Sequence, residues 1–384
     1  MPEKTARILY GCGADNYYAI GMDVPDPYLW YQDSAGKTHV VMSALEVDRA
    51  RKNARVDNVH AMGDVVKALQ EAGKGLTSAH QALWLIEQDN PDAVVAPDDF
   101  PFAMAETLRQ NGVNIKPADG FFFPERAIKS TEEVQHIRQA QALNEQAFAR
   151  AFEILKDAEI QTDDSLTWQG EVLTAETVRG QMNAVIAAGG GIPSDLIVAC
   201  GQQGADPHER GHGPLKAHEL IIIDSWPRGP VGNFYYGDLT RTVLKGTPSE
   251  DQQKLYDTVK QGQQLALDMM SPAVTGQQVH EAIQACFEEQ GYKTGLNGDG
   301  VNVGFFHGTG HSVGLEVHDK GPGMTRGRPT DRDKPAPLQA GLVVTVEPGL
   351  YYPEIGGVRI EDIVHVTENG IQNLTTLPKE LVIT

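Results

Sequence analysis

Phe305-Phe306-His307-Gly308-Thr309-Gly310-His311-Ser312-Val313-Gly314-Leu315-Glu316-Val317-His318-Asp319 sets three histidines within twelve residues and interleaves them with three glycines. Each glycine would cost a helix stability, so His307 to His311 reads as a loop that brings backbone and imidazoles close to a ligand. Histidines also cluster on surface loops without any function, so the stretch needs company before it means chemistry. Downstream, Gly341-Leu342-Val343-Val344-Thr345-Val346-Glu347-Pro348-Gly349 is an apolar strand that ends in a carboxylate, where Pro348 blocks the ladder. Then Gly356-Gly357-Val358-Arg359-Ile360-Glu361-Asp362 alternates so that Arg359 and Glu361 share a face away from Ile360. The ordinary reading of that pair is a local surface ion pair of little worth.

Upstream, Leu220-Ile221-Ile222-Ile223-Asp224 is a buried strand whose terminal acid needs a partner. Fourteen positions after Asp224 comes Asp238, in Tyr236-Gly237-Asp238-Leu239-Thr240-Arg241-Thr242-Val243, where alternation puts Asp238, Thr240 and Thr242 on one strand face. Thr240 is thereby placed to support Asp238 by a hydrogen bond. An acid at a strand end often caps a neighbouring helix or turn, so neither aspartate means much alone. The set means more. Two aspartates, two glutamates and one histidine converging in a core would repel unless cations neutralised them. Oxygen donors with one imidazole suit manganese, iron, cobalt or zinc rather than a thiol-loving metal. Two such ions close together form a device for hydrolysis.

Around these motifs the chain from about residue 130 reads as two similar halves. Ser130-Thr131-Glu132-Glu133 is a capping box, and Val134, Ile137, Ala140, Phe148 and Phe152 keep helical spacing behind it. A second helical stretch covers Glu171 to Ala188, followed by strands ending at Val243. The second half repeats this with a helix over Gln252 to Met270 and another capped by Thr275. That helix carries Val279, Ile283 and Phe287 on one face and stops at Gly291, before strands that run to Val364. Ahead of the boundary near Phe123-Pro124-Glu125, short strands at Arg7–Tyr10, Val40–Met42, Asp92–Ala96 and Gly112–Ile115 surround a helix over Pro101 to Gln110. That alternation predicts a small α/β domain whose sheet is at least partly parallel.

Asp238-Leu239-Thr240-Arg241-Thr242, Gly308-Thr309-Gly310-His311-Ser312-Val313-Gly314-Leu315, Val346-Glu347-Pro348-Gly349 and Val358-Arg359-Ile360-Glu361-Asp362 resemble the signatures of the pita-bread metallopeptidases. That superfamily includes aminopeptidase P, prolidase, methionine aminopeptidase and creatinase. The resemblance implies an amino-terminal creatinase/prolidase-like α/β domain over 1–128. An α+β pita-bread catalytic domain with pseudo-twofold duplication would follow over 129–384. By the same analogy Asp224, Asp238, His311, Glu347 and Glu361 are the ligands of two divalent ions, most naturally manganese. Asp238 and Glu361 would bridge them, and Glu347 would also carry a proton. His208, His307 and His318 match substrate-side histidines, with His307 and His318 close to the chemistry, and Arg359 matches an arginine that binds a product-side carboxylate. The one departure follows the first ligand: Ser225-Trp226-Pro227-Arg228-Gly229-Pro230-Val231-Gly232 replaces a short flexible turn with a longer, bulkier one. It either bulges outward or narrows the cleft and changes which peptides fit. A turn with two solvated imidazoles is the plain alternative for His208 and His212.

The implied activity is metallopeptidase cleavage beside proline, as an Xaa-Pro aminopeptidase or Xaa-Pro dipeptidase, with a lean toward aminopeptidase P or an enzyme serving both substrates. A metal-free creatinase-like amidinohydrolase would have lost ligand carboxylates, and a non-catalytic peptide-binding module the metal set; all five ligands are present here. Composition agrees. With 384 residues, two domains are the default, and 40% hydrophobic with 22% charged residues is ordinary for a globular protein. A formal net charge of −20 would repel phosphate backbones and argues against nucleic acid as a partner. No apolar run reaches the length of a membrane span, and Met1-Pro2-Glu3-Lys4 lacks the start of a secretory signal. Three dispersed cysteines, Cys12, Cys200 and Cys286, fit a reducing compartment, so a cytoplasmic enzyme acting on short proline-containing peptides is expected. The resemblance adds a homo-oligomer, a dimer by preference.

Overall fold

Strand alternation builds the first unit. Ala6 and Ile8 face one hydrophobic cluster while Leu9 faces another; Tyr31 and Leu29 divide from Trp30 and Tyr28 in the same way. The sheet is therefore covered on both faces. A computed structural model describes residues 3–324 and 336–384, so Met1 and Pro2 lie outside the described residues. The chain divides into two compact units, Met1–Pro124 and Glu125–Thr384. In the first, six strands run in the order Asn58–Ala61, Thr38–Met42, Tyr28–Gln32, Thr5–Gly11, Ala93–Ala96, Ile115–Pro117. Tyr28–Gln32 is antiparallel to both neighbours and the remaining pairings are parallel, which gives the mixed sheet expected. The strand expected from Gly112 begins only at Ile115, because Gly112 takes φ +83° in the turn that ends the Phe102–Gln110 helix.

In the second unit Ser130 and Glu133 form the capping box, and the helix they open runs over Thr131–Asp157. Residues 125–128 go with this unit: Lys129 donates its backbone N–H to Gly341 O at 2.8 Å, and Arg126 is buried against Glu316 and Asp319. The next helix is shorter than its apolar pattern suggests. It covers Ala175–Ala188, because Gly170 at φ +82° turns Glu171–Val172 back as a hairpin strand and Thr174 caps the helix by accepting from Thr177 N–H. Capping boxes at Ser249 and Thr275 open Glu250–Met269 and Gly276–Glu289, and Gly291 at φ +94° follows the last of them.

Each helix pair packs on its own strands. In the first half Phe148, Ile154, Val178 and Met182 meet Val198, Ile221, Ile223 and Val243. In the second, Val259, Ile283 and Phe287 meet Val344, Val346, Val358 and Val364. Burying one such side chain contributes about 1.5–3 kcal/mol. Helix pair then strands, twice, is the repeat read from the sequence. Strands order as Ile197–Cys200, Ile221–Ser225, Leu239–Lys245 and Val382–Ile383 in the first sheet, and as Val343–Val346, Asp362–Thr367 and Gly370–Asn373 in the second, beside a Gly349–Tyr352/Gly356–Arg359 hairpin. Among the described residues no helix is long and apolar enough to cross a membrane.

Candidate active site

The first acid is carried by the Ile221–Ser225 strand, whose register sets Asp224 between Ile197 and Thr240 on its two neighbours. Asp238 immediately precedes the Leu239–Lys245 strand, and its N–H donates to Gln141 Oε1 at 2.9 Å. Glu347 follows the Val343–Val346 strand, with its N–H on Thr309 O at 2.7 Å. Glu361 follows the Gly356–Arg359 strand and donates its N–H to Thr240 O at 3.0 Å. His311 sits on the glycine-rich loop, stitched to the Glu347 strand by His311 N–H on Thr345 Oγ1 at 3.0 Å and Thr345 N–H on His311 O at 2.9 Å. That close approach requires Gly310, since a Cβ there would overlap Thr345 O.

These five side chains line one cavity of about 900 Å³, and His208, His307, His318 and Arg359 line it too. Asp238, His311 and Glu361 each offer a donor atom within 4.8 Å of the others. His311 Nε2 lies 3.3 Å from Glu347 Oε1 and 3.6 Å from Asp238 Oδ2. His311 Nδ1 is 3.3 Å from Ser312 O; a carbonyl only accepts, so Nδ1 carries the hydrogen and the Nε2 lone pair faces two carboxylates. Burial, then His318, lowers His311 to about 4, which keeps the ring neutral at pH 7. Burial likewise pushes Glu347 up to about 8, with Arg359 opposing and Asp224 adding to the rise. Asp238 and Glu361 are held well above the usual carboxylate range by burial first, and then by the neighbouring carboxylates. Asp224 Oδ1 is buried without a hydrogen-bond partner among the described residues. Lone pairs crowded on lone pairs, with one buried oxygen left over, are what divalent cations would satisfy. The donor set fits them.

Two expectations about the supports change. Thr240 Oγ1 donates to Glu361 Oε2 at 2.8 Å, not to Asp238, because the Glu361 backbone lies alongside that strand. Arg359 and Glu361 are no surface ion pair: both are buried, and Arg359 donates to Asp224 Oδ2 at 2.6 Å and Tyr351 Oη at 2.9 Å. The Tyr351 oxygen therefore accepts from Arg359, and its hydrogen goes to His307 Nε2 at 2.8 Å. His307 Nδ1–H is spent on Gly308 O at 2.7 Å. Both ring nitrogens of His307 thus have protein partners, so it meets the cavity as a wall; burial, then Arg359, lowers it to about 3. Sequence reading missed Tyr351 and also buried His280, whose Nδ1 lies 3.0 Å from Thr309 Oγ1.

His208 is exposed on its turn and lines the cavity; His212 does not, and its ring lies 3.6 Å from Glu209 on the surface. The unusual loop faces both the cavity and the solvent. Trp226 lines the cavity and packs on Ile197, Ala199, Ile222 and Tyr351, while Val231 at the tip is 93% exposed.

The sequence pattern of metallopeptidase family M24 matches residues 135–368. The chain belongs to this family. It is 31% identical to an Xaa-Pro dipeptidase of Pyrococcus furiosus over 76% of this chain and 76% of that protein. Two solved structures share the fold. The prolidase from Pyrococcus furiosus gives a TM-score of 0.77 at 24% identity, covering 97% of both chains. The X-Pro aminopeptidase from Thermotoga maritima gives 0.79 at 22% identity, covering 98% of this chain and 97% of that one. The second unit is a pita-bread domain, and as a member of the family the chain is a metallopeptidase.

Proposed function

We propose that this metallopeptidase hydrolyses the peptide bond beside proline, with Xaa-Pro dipeptides as substrates and two divalent ions, manganese first, as cofactor. What carries the reading is the convergence of Asp224, Asp238, His311, Glu347 and Glu361 in one cavity of a chain whose relatives include a named Xaa-Pro dipeptidase. Those five residues would hold the ions, Asp238 and Glu361 shared between them. When bound, such ions polarise a carbonyl and lower the pKa of a water to near neutrality. The rest falls to the chain. Glu347 accepts and returns a proton; Thr345 Oγ1, 3.2 Å from Glu347 Oε1, orients it. His318, whose ring nitrogens make no hydrogen bond among the described residues, donates to the developing oxyanion. His208 binds the peptide, and Phe306, Trp226 and the His307 face supply the apolar wall for a proline ring. Arg359 orients Asp224 and offers its charge to a product carboxylate. A cytoplasmic homodimer belongs to the same reading, and light scattering checks the dimer.

Cavity size favours a second reading, since about 900 Å³ leaves space beyond a dipeptide, as an Xaa-Pro aminopeptidase would require. Turnover of Ala-Pro and Ala-Pro-Ala with added manganese separates the two. We expect metal-dependent release of proline from Ala-Pro. Cleavage of the tripeptide alone would make the enzyme an aminopeptidase, and cleavage of neither would remove the proline reading.

A further inference from the structure

His318, like His208, lines the cavity with no side-chain hydrogen bond among the described residues. Its ring contact is edge-on to His311, centroids 4.2 Å apart. Its place must come from its backbone, and the next residue is where that backbone is pinned. Asp319 N–H donates to Ser312 O at 2.8 Å. The Asp319 carboxylate accepts from Leu315 N–H at 3.2 Å and Lys320 N–H at 2.8 Å, closing residues 312–320 into a tight loop. It also takes the Lys129 ammonium at 3.1 Å and the Arg126 guanidinium, and Arg126 reaches Glu316 at 2.8 Å. A Cβ at Gly314 would overlap the Asp319 carboxylate, so the loop is closed tightly around that group.

The side chains of Arg126 and Lys129 are 1% exposed and that of Asp319 2%. Buried ion clusters are poor stabilisers, because desolvation offsets their attraction, and an apolar replacement is often as stable. Their advantage is direction: two cations that precede the first long helix of the unit lock one carboxylate, and through it one loop. We propose that Asp319, clamped by Arg126 and Lys129, is the positioning residue that aims His318 at the substrate oxygen. This rests on the reading of His318 as a substrate-side group.

The test is a double-mutant cycle on the full chain loaded with manganese, with Ala-Pro as substrate, or Ala-Pro-Ala if that is the peptide cleaved. Asp319→Asn should lower kcat about 10- to 100-fold, as loss of an orienting partner does, with little change in KM. In a His318→Ala background the same change should leave kcat unaltered, because nothing remains to aim. Should Asp319→Asn fail to fold, Lys129→Met leaves Arg126 on the carboxylate, and the same cycle is run with a smaller loss expected. Losses that multiply independently of His318 would make the clamp a structural anchor and overturn the proposal alone. Activity indifferent to His318→Ala would overturn the reading of the site, and the proposal with it.

Discussion

Asp238→Asn should abolish turnover and yet raise the melting temperature of the chelated protein. The activity loss follows from the position of Asp238, whose donor atom lies within 4.8 Å of those of His311 and Glu361. An amide has half the acceptor capacity and no charge, so an ion held there would lose a bridging ligand. Lewis-acid stabilisation is worth several kcal/mol, so kcat should fall by about 10³-fold or more. The stability gain follows from the same crowding. Without a cation, Asp238 is buried beside Asp224 and Glu347, and removing one negative charge relieves both desolvation and repulsion. Paired measurements of Ala-Pro turnover and of melting in chelator check this. Retained activity would end the bridging role, and a large fall in melting temperature would mean that Asp238 serves the fold instead.

Stripping the metal from the unaltered enzyme should have the second large effect: no turnover, and a stability that depends on pH. Glu347, lifted to about 8 from an ordinary 4.5, binds its proton more tightly folded than unfolded. A raised folded pKa means the stabilising contribution is complete below about 4.5 and is lost as pH climbs through about 8. Asp238 and Glu361 shift in the same direction and add to the slope. Chelated protein should therefore melt progressively lower from pH 5 to pH 8. Manganese at about 100 times its Kd should flatten that slope and add about 2.7 kcal/mol. Scanning calorimetry across that range, with and without chelator, is the measurement; a flat profile for the chelated protein would deny the repulsion on which the metal assignment rests. Full turnover in verified metal-free protein would return the metal-free hydrolase to contention.

Local chemistry made much of this site legible. Asp224 and Glu347 each close an apolar strand run, and such ends are readable from a run of β-branched residues followed by an acid. The caps at Ser130 and Thr275 were readable for the same reason: their partners lie three residues away. What escaped depends on contacts across the chain. Thr240 meets Glu361 rather than Asp238 through a bond spanning 121 residues, which strand alternation does not foresee. Tyr351 enters the site only because its strand pairs in a register that sets it opposite Gly357, two residues from Arg359. The Tyr28–Gln32 strand is buried on both faces, so it lacks the alternation that marks a half-exposed strand. Gly112 and Glu171 misled because an apolar pattern says nothing of the left-handed turn beside it.

Trp226 makes the enzyme its own optical reporter. Of the four tryptophans it is the one that lines the cavity; Trp30 and Trp84 pack in the cores of the first unit and Trp168 on that of the first half. Proline or a product analogue entering the cavity changes the polarity around that indole, whereas the other three emit a constant background. Titrating proline into the manganese enzyme should shift the fluorescence in a saturable way, and Trp226→Phe should erase the shift. Site occupancy can then be followed during a single turnover without attaching a dye.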